Sequence, residues 1–272
     1  MTSETLKTCL VLPALALLTV SVHAGETEAA PPMKEAPPVA ETKPKVVSGT
    51  LVLQANTHFF SYGSDIWGAG NNWNDLVFEP SLELSIDLGK GFNLFFGTWW
   101  DINDNDVSSI GNRIQEIDVW AGVGYTTGKW SFSLAYQAWL YLEETEEIVD
   151  FKVAYDTFLH PSILIHGRIN AGAASGDEGV VVVLGLSEGF EAGPVTFNFP
   201  LKVGFMTDGF QAGDAGFGYA SLAAEASVPV PFLPGDWTYG VGVTGYYTDP
   251  NVVPNNPDDT FVVGSTTLTL TF

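Results

Sequence analysis

The sequence predicts an all-β chain: a transmembrane antiparallel up-and-down β-barrel of about twelve strands. Three observations predict it. Alternating apolar and polar runs fill the chain from Gly49 to Phe272. The connections between them are short and long by turns. An apolar leader opens the chain, and an aromatic residue closes its last strand.

Composition sets the bounds. The chain has 272 residues, enough for one large domain. Its 10 Lys+Arg stand against 32 Asp+Glu, a formal charge of -22. That excludes nucleic acid as a partner, because phosphate contacts need basic groups. It also excludes attachment to anionic lipid through a basic patch. The one cysteine, Cys9, lies in the leader. Beyond the leader there is no disulfide, thiolate metal site or cysteine nucleophile.

Residues 1–24 read as a signal peptide. Lys7 supplies the charge, Cys9 to Val20 the apolar run, and Val22-His23-Ala24 the cleavage site. The run is too short for a membrane helix. Residues 25–48 are rich in Pro, Glu and Ala and hold no aromatic residue. They read as a disordered periplasmic linker. Residues 49–272 then form the barrel.

In chain order the predicted strands are 49–61, 75–88, 91–102, 114–126, 129–143 and 146–156. They continue with 162–171, 179–187, 194–206, 217–228, 236–247 and 260–272. A tilted strand crosses a bilayer in about 9–11 residues, which these lengths allow. Short turns fall at Gly89-Lys90-Gly91, Thr126-Thr127-Gly128, His160-Pro161, Glu191-Ala192-Gly193 and Leu233-Pro234-Gly235. The longer connections are 62–74, 103–113, 172–178, 207–216 and 248–259. The corner at Glu143 to Glu147 departs from this by being short. Membrane barrels segregate loop length by side in this way; a soluble sandwich has no reason to. An even strand count puts both ends of the barrel on the short-turn side.

The strand faces agree. In the second strand Leu82, Leu84, Ile86 and Leu88 oppose Ser81, Glu83, Ser85 and Asp87. In the fifth, Trp130, Phe132, Leu134 and Tyr136 oppose Ser131, Ser133, Ala135 and Gln137. In the ninth, Phe197, Phe199, Leu201 and Val203 oppose Asn198, Pro200, Lys202 and Gly204. Pro200 has no N–H to donate, so a bulge is expected there. In the last, Leu268, Leu270 and Phe272 oppose Thr267, Thr269 and Thr271. A sandwich shows the same alternation, so periodicity does not choose between the two folds. The leader, the loop lengths and Phe272 choose the barrel, with the apolar face toward lipid. Phe92, Tyr125, Trp130, Phe158, Trp237 and Tyr239 near short turns, and Trp100 and Tyr247 near long ones, are candidate interfacial girdles.

The stretch ending at Phe272 resembles the closing strand of bacterial outer-membrane β-barrels. The resemblance implies that Phe272 is an assembly signal read by the barrel-assembly machinery, and that the chain resides in the cell outer membrane. A second resemblance lies in the middle of the chain. Gln115-Glu116-Ile117-Asp118-Val119-Trp120-Ala121-Gly122-Val123-Gly124-Tyr125, then Gly128-Lys129-Trp130 to Tyr136, then Asp150-Phe151-Lys152-Val153-Ala154-Tyr155, is similar to the TorF-like porin family. That family's first strand usually carries an Arg-Gly pair, which residues 53–63 lack. The family implies a barrel and a pore, with no particular solute.

Charged residues on the polar parity are the candidate pore lining. They are Glu79, Glu83 and Asp87 on the second strand, Glu116 and Asp118 on the fourth, and Lys152 on the sixth. His166 and Arg168 follow on the seventh and Lys202 on the ninth. In a ring of about twelve strands, acidic and basic walls would oppose one another and select solutes by charge. The competing expectation is that the same groups pair and plug the lumen. The expected function is a porin-like channel for passive diffusion of small polar or charged solutes, with no cofactor and no enzymatic activity. Its expected partners are outer-membrane lipid, lipopolysaccharide bridged by divalent cations, the assembly machinery and the solutes themselves. The alternatives are a non-conducting structural or adhesive barrel and a lipid-modifying barrel enzyme.

Two signals bear on those alternatives. Phe158-Leu159-His160-Pro161-Ser162 resembles an F-x-H-x-S pattern of outer-membrane lipid A deacylases. Here Pro161 separates the His from the Ser, and the stretch reads as a turn. Asp101, Asn103 and Asn105 have calcium-loop spacing, but Asp106 and Asn112 replace the required Gly and Glu. A solvated acidic loop is the simpler reading, and no metal site is expected.

Overall fold

The computed structural model describes residues 46–66, 76–108, 110–142 and 144–272. The signal-peptide reading of 1–24 and nearly all of the linker reading lie outside these residues. So do Glu143 in the acidic corner and part of the connection after the first strand.

Among the described residues every regular element is a strand. Twelve of them form the wall: β1 Val47–Asn56, β2 Ser81–Gly89, β3 Phe92–Ile102, β4 Ile114–Thr127, β5 Trp130–Leu140 and β6 Thr145–Tyr155. The others are β7 Ser162–Asn170, β8 Gly179–Ala192, β9 Val195–Met206, β10 Gly216–Pro229, β11 Asp236–Thr248 and β12 Thr260–Thr271. Each pairs antiparallel with its neighbour in sequence, and β12 returns to pair with β1. The barrel is therefore closed. Closure matters physically because hydrocarbon offers no partner to an unpaired backbone N–H or C=O.

The closing seam runs from Thr50↔Thr271 to Asn56↔Ser265. Phe272 extends it. Its N–H donates to the Gly49 carbonyl at 3.0 Å, and the Gly49 N–H donates back at 2.9 Å. The Phe272 ring lies over Gly49, where a Cβ would stand 2.5 Å from Cζ. The last residue thus completes the ladder and covers a glycine on the outer face.

Three predicted boundaries move by five residues or more. The first strand ends at Asn56, not 61. Thr57 uses its Oγ to accept the Gly264 N–H at 3.0 Å, and from there the chain turns inward. The second strand begins at Ser81, not 75. Pro80 cannot donate, and the ladder above it passes to the two-residue strand Val77–Phe78, which pairs with both β1 and β3. The eighth runs to Ala192, not 187, and turns tightly into β9. The expected bulge at Pro200 is absent. Ladder pairs to β10 lapse at Phe199 and Pro200, yet the register is the same on both sides. The bulge lies between Gly204 and Phe205 instead, with Gly218 the extra residue opposite.

The outer face is apolar and exposed along its length, as at Leu94, Phe96, Leu134, Phe151, Leu184 and Leu222. Near the short turns the aromatic girdle is a set of contacts: Phe92 stacks on Tyr125 at 4.4 Å and Trp130 packs against Tyr155 at 4.5 Å. A large exposed apolar band on a closed barrel is what a lipid-facing wall requires.

Substituting Gly49→Val drives a side chain into the Phe272 ring. In refolded protein the expected loss is about 1–3 kcal/mol, read as a lower urea midpoint. An unchanged midpoint would show that the ring moves aside freely.

A closed lumen as the candidate functional site

From β8 to β12 the inward faces turn apolar toward the long-loop end, while β3, β4, β6 and β7 carry buried charged residues there. On β12, Thr267, Thr269 and Thr271 face in and stay half-buried, while Phe261 and Val263 above them are buried. The difference comes from the segment 57–66. His58, Phe59, Phe60, Ser61 and Tyr62 are all buried in succession, which no strand facing lipid on one side allows. They fold into the barrel as a plug.

The plug packs by aromatic contacts. Phe60 stacks on Tyr246 at 4.0 Å and meets Tyr219 edge-on at 5.1 Å. Tyr62 stacks on His166 at 4.0 Å, and Phe59 lies 5.3 Å from Trp99. Two outer loops then hold its backbone. The Gln211 side chain donates to the Ser61 and Tyr62 carbonyls, each at 3.1 Å. Asn256 donates to the Gly63 carbonyl and accepts the Asp65 N–H, each at 2.8 Å. Tyr62 and Gly63 turn the tip with φ of 42° and 94°. Inside the plug His58 Nδ1 pairs with Asp65 at 2.9 Å.

Beside it lies the charged layer. Arg168 Nε meets Glu146 Oε2 at 3.0 Å. Its Nη1 donates to the Phe210 carbonyl at 2.8 Å, and its guanidinium sits 4.0 Å above the Phe210 ring. His166 Nδ1 meets Asp150 Oδ1 at 2.8 Å, and Gln137 donates to the other Asp150 oxygen at 2.5 Å. Glu79 turns in at the Pro80 break and accepts the Asn56 side chain. Asp101 pairs across the ladder with Glu116, and Trp99 with Asp118. Trp120 Nε1 donates to Glu83 at 2.9 Å. A cavity of about 10 Å³, room for roughly one water, lies between Glu83, Ser133, Asp150 and Lys152.

Placed against the sequence expectation, the candidate lining divides. Glu79, Glu116, Asp118, His166 and Arg168 are buried within the lumen. Glu83, Lys152 and Lys202 are half-buried below them. Asp87 does not line the lumen: it is exposed at the rim and its Oδ1 accepts the Gly89 N–H at 2.7 Å. The two ion pairs of this layer join adjacent strands, β6 to β7, rather than opposing walls.

Sequence reasoning left Glu146, Asp150, Gln137 and the plug out of the candidate lining, and it weighed Asp101 only within a calcium-type loop. A signal for Asp150 was present, since Glu146, Ile148, Asp150 and Lys152 share one parity. The plug also left a trace: Thr57-His58-Phe59-Phe60-Ser61-Tyr62 breaks the two-residue period. His160 lies in an exposed turn with φ of 37°, 3.4 Å from Asp156, while Ser162 opens β7.

A closed twelve-strand barrel, apolar outside and polar inside, defines a membrane-spanning β-barrel protein. No protein-family model matches the chain. No curated protein matches it. Among solved structures it is similar to LpxR from Salmonella typhimurium, at 8% identity over 82% of this chain and 100% of that one, with a TM-score of 0.47. It is also similar to a porin, at 10% identity over 83% and 99%, TM-score 0.36. A bacterial polysaccharide outer membrane secretin matches at 10% identity over 84% and 98%, TM-score 0.39. The barrel rests on this chain's own closed ladder, not on these likenesses.

Arg168→Met leaves Glu146 buried without its cation. The expected cost is about 3–5 kcal/mol, read in urea unfolding. The double variant Arg168→Met/Glu146→Leu recovers most of it if the pair is the cause.

Proposed function

We propose that this chain works in the bacterial outer membrane as a porin-like channel for small polar or charged solutes, held closed by the plug 57–66. The observation that carries the reading is the inward face. It is hydroxyl-lined at the short-turn end and charged toward the long-loop end, and the space between is filled by one inserted segment with wall side chains such as Trp139 and Tyr219 packed around it. The segment is tied down by side-chain hydrogen bonds from two loops, Gln211 and Asn256, and by ring stacking. Such ties break without opening the ladder. The TorF-like resemblance of the β4–β5–β6 region agrees with this reading. The channel does no covalent chemistry and holds no cofactor.

The apolar packing of the plug favours a second reading, a non-conducting structural barrel. Fifteen buried side chains form that cluster, which is large for a gate.

Planar-bilayer recording separates the two. The full-length protein is expected to stay mostly closed. Phe60→Ser/Tyr62→Ser and Gln211→Ala/Asn256→Ala are each expected to conduct in discrete steps. If both variants insert as protease-resistant barrels and remain silent, the non-conducting reading stands.

A further inference from the structure

We infer that the wall beside the plug is a cation-selecting belt, so that the solutes this lumen admits are positively charged. The inference rests on the channel reading above and adds the class of solute.

Five buried carboxylates meet on one side of the lumen: Glu79, Asp101 on β3, Glu116 and Asp118 on β4, and Glu146 on β6. Each lies within electrostatic reach of at least two of the others. Glu79 interacts electrostatically with Asp101 and Glu116, and Asp118 with Glu116, Asp101 and Glu146. The basic side chain facing them is Arg168, and it is already committed to Glu146 and to the Phe210 carbonyl. Tyr141 adds its hydroxyl to Glu146 at 3.3 Å.

A second observation points to a ligand. Glu79 Oε1, Glu116 Oε1 and Asp118 Oδ1 are buried without a hydrogen-bond partner. These side chains are more than nine-tenths buried, and each has a spare acceptor. Buried acceptors without donors are costly, and a cation or its N–H groups would satisfy them. No anion could. Trp99, Trp120 and Trp139 face in from β3, β4 and β5 along the same wall. Their ring faces tolerate a passing cation where aliphatic side chains would not. Among the described residues no group of three or more His, Asp or Glu side chains is set to hold a metal ion. The belt is therefore a lining for transit rather than a chelate.

The plug covers this lining. Phe59 packs on Trp99, and Tyr62 stacks toward Trp139 at 6.4 Å. Withdrawing the segment uncovers Trp99 and Trp139 on the wall that carries these carboxylates. Rings of acidic side chains select cations because their field replaces part of the ion's hydration.

The test is the reversal potential of the opened Phe60→Ser/Tyr62→Ser channel in a potassium chloride gradient. The expected value lies toward the potassium potential. Adding Glu116→Gln/Asp118→Asn to the same channel should cut the cation-to-anion permeability ratio several-fold. Adding Lys129→Gln, in an exposed turn, should leave it unchanged. Glu79→Gln serves as the second belt variant if the double one does not refold. An open channel that prefers anions, has no preference, or is indifferent to the belt variants overturns the belt and leaves the channel standing. Silence of this channel and of the Gln211→Ala/Asn256→Ala barrel, both properly inserted, overturns both.

Discussion

Everything in this molecule depends on one constraint: lipid cannot hydrogen-bond a backbone. A sheet inside hydrocarbon must therefore have no edge. The chain meets this by pairing its last residues with its first, Phe272 with Gly49 and Thr271 with Thr50. The two ends lie more than two hundred residues apart in sequence, yet their ladder sets the circumference. Once the ring is closed, the side-chain period of two divides every strand into a lipid face and a lumen face.

The lumen face then becomes an interior, with the rules of one. Polar groups there must find partners, and the structure shows how they do. Neighbouring strands supply most of them, as Asp150 with His166 and Glu146 with Arg168. Glycines make room for large rings: Trp120 lies over Gly97 and Phe95 over Gly122 in the β3–β4 ladder. What the wall could not fill, the inserted segment 57–66 fills with aromatic rings. The acidic wall is the exception, since several of its oxygens go unmatched.

The long-loop end is organised around the plug rather than around the strands. Gln211 and Asn256 reach it from different connections, and Arg168 ties the 207–214 loop to the charged layer. Phe210 and Gln211 are adjacent in sequence, and the Asp214 N–H donates to the Asn251 carbonyl at 2.8 Å, so the two loops are themselves joined. This physical continuity links the outer loops to the lumen without any change in the barrel wall.

The sequence by itself determined the strands, their order and their faces. Leu134 and Ser133 were assigned to opposite sides by alternation alone, and the short turn at Gly128 followed from local backbone preference. These are short-range properties, written in neighbouring residues. It did not determine the fate of Phe59, Phe60 and Tyr62, nor which carboxylates find a cation. Those depend on what lies across the ring, such as Tyr246, Trp99 and His166, and alternation says nothing of distance through space. Asp87 makes the point: its parity matched that of Glu83, but its position at the strand end left it at the rim. Tertiary structure decided whether the lumen was filled, because filling is a contest of volumes and partners drawn from every strand at once.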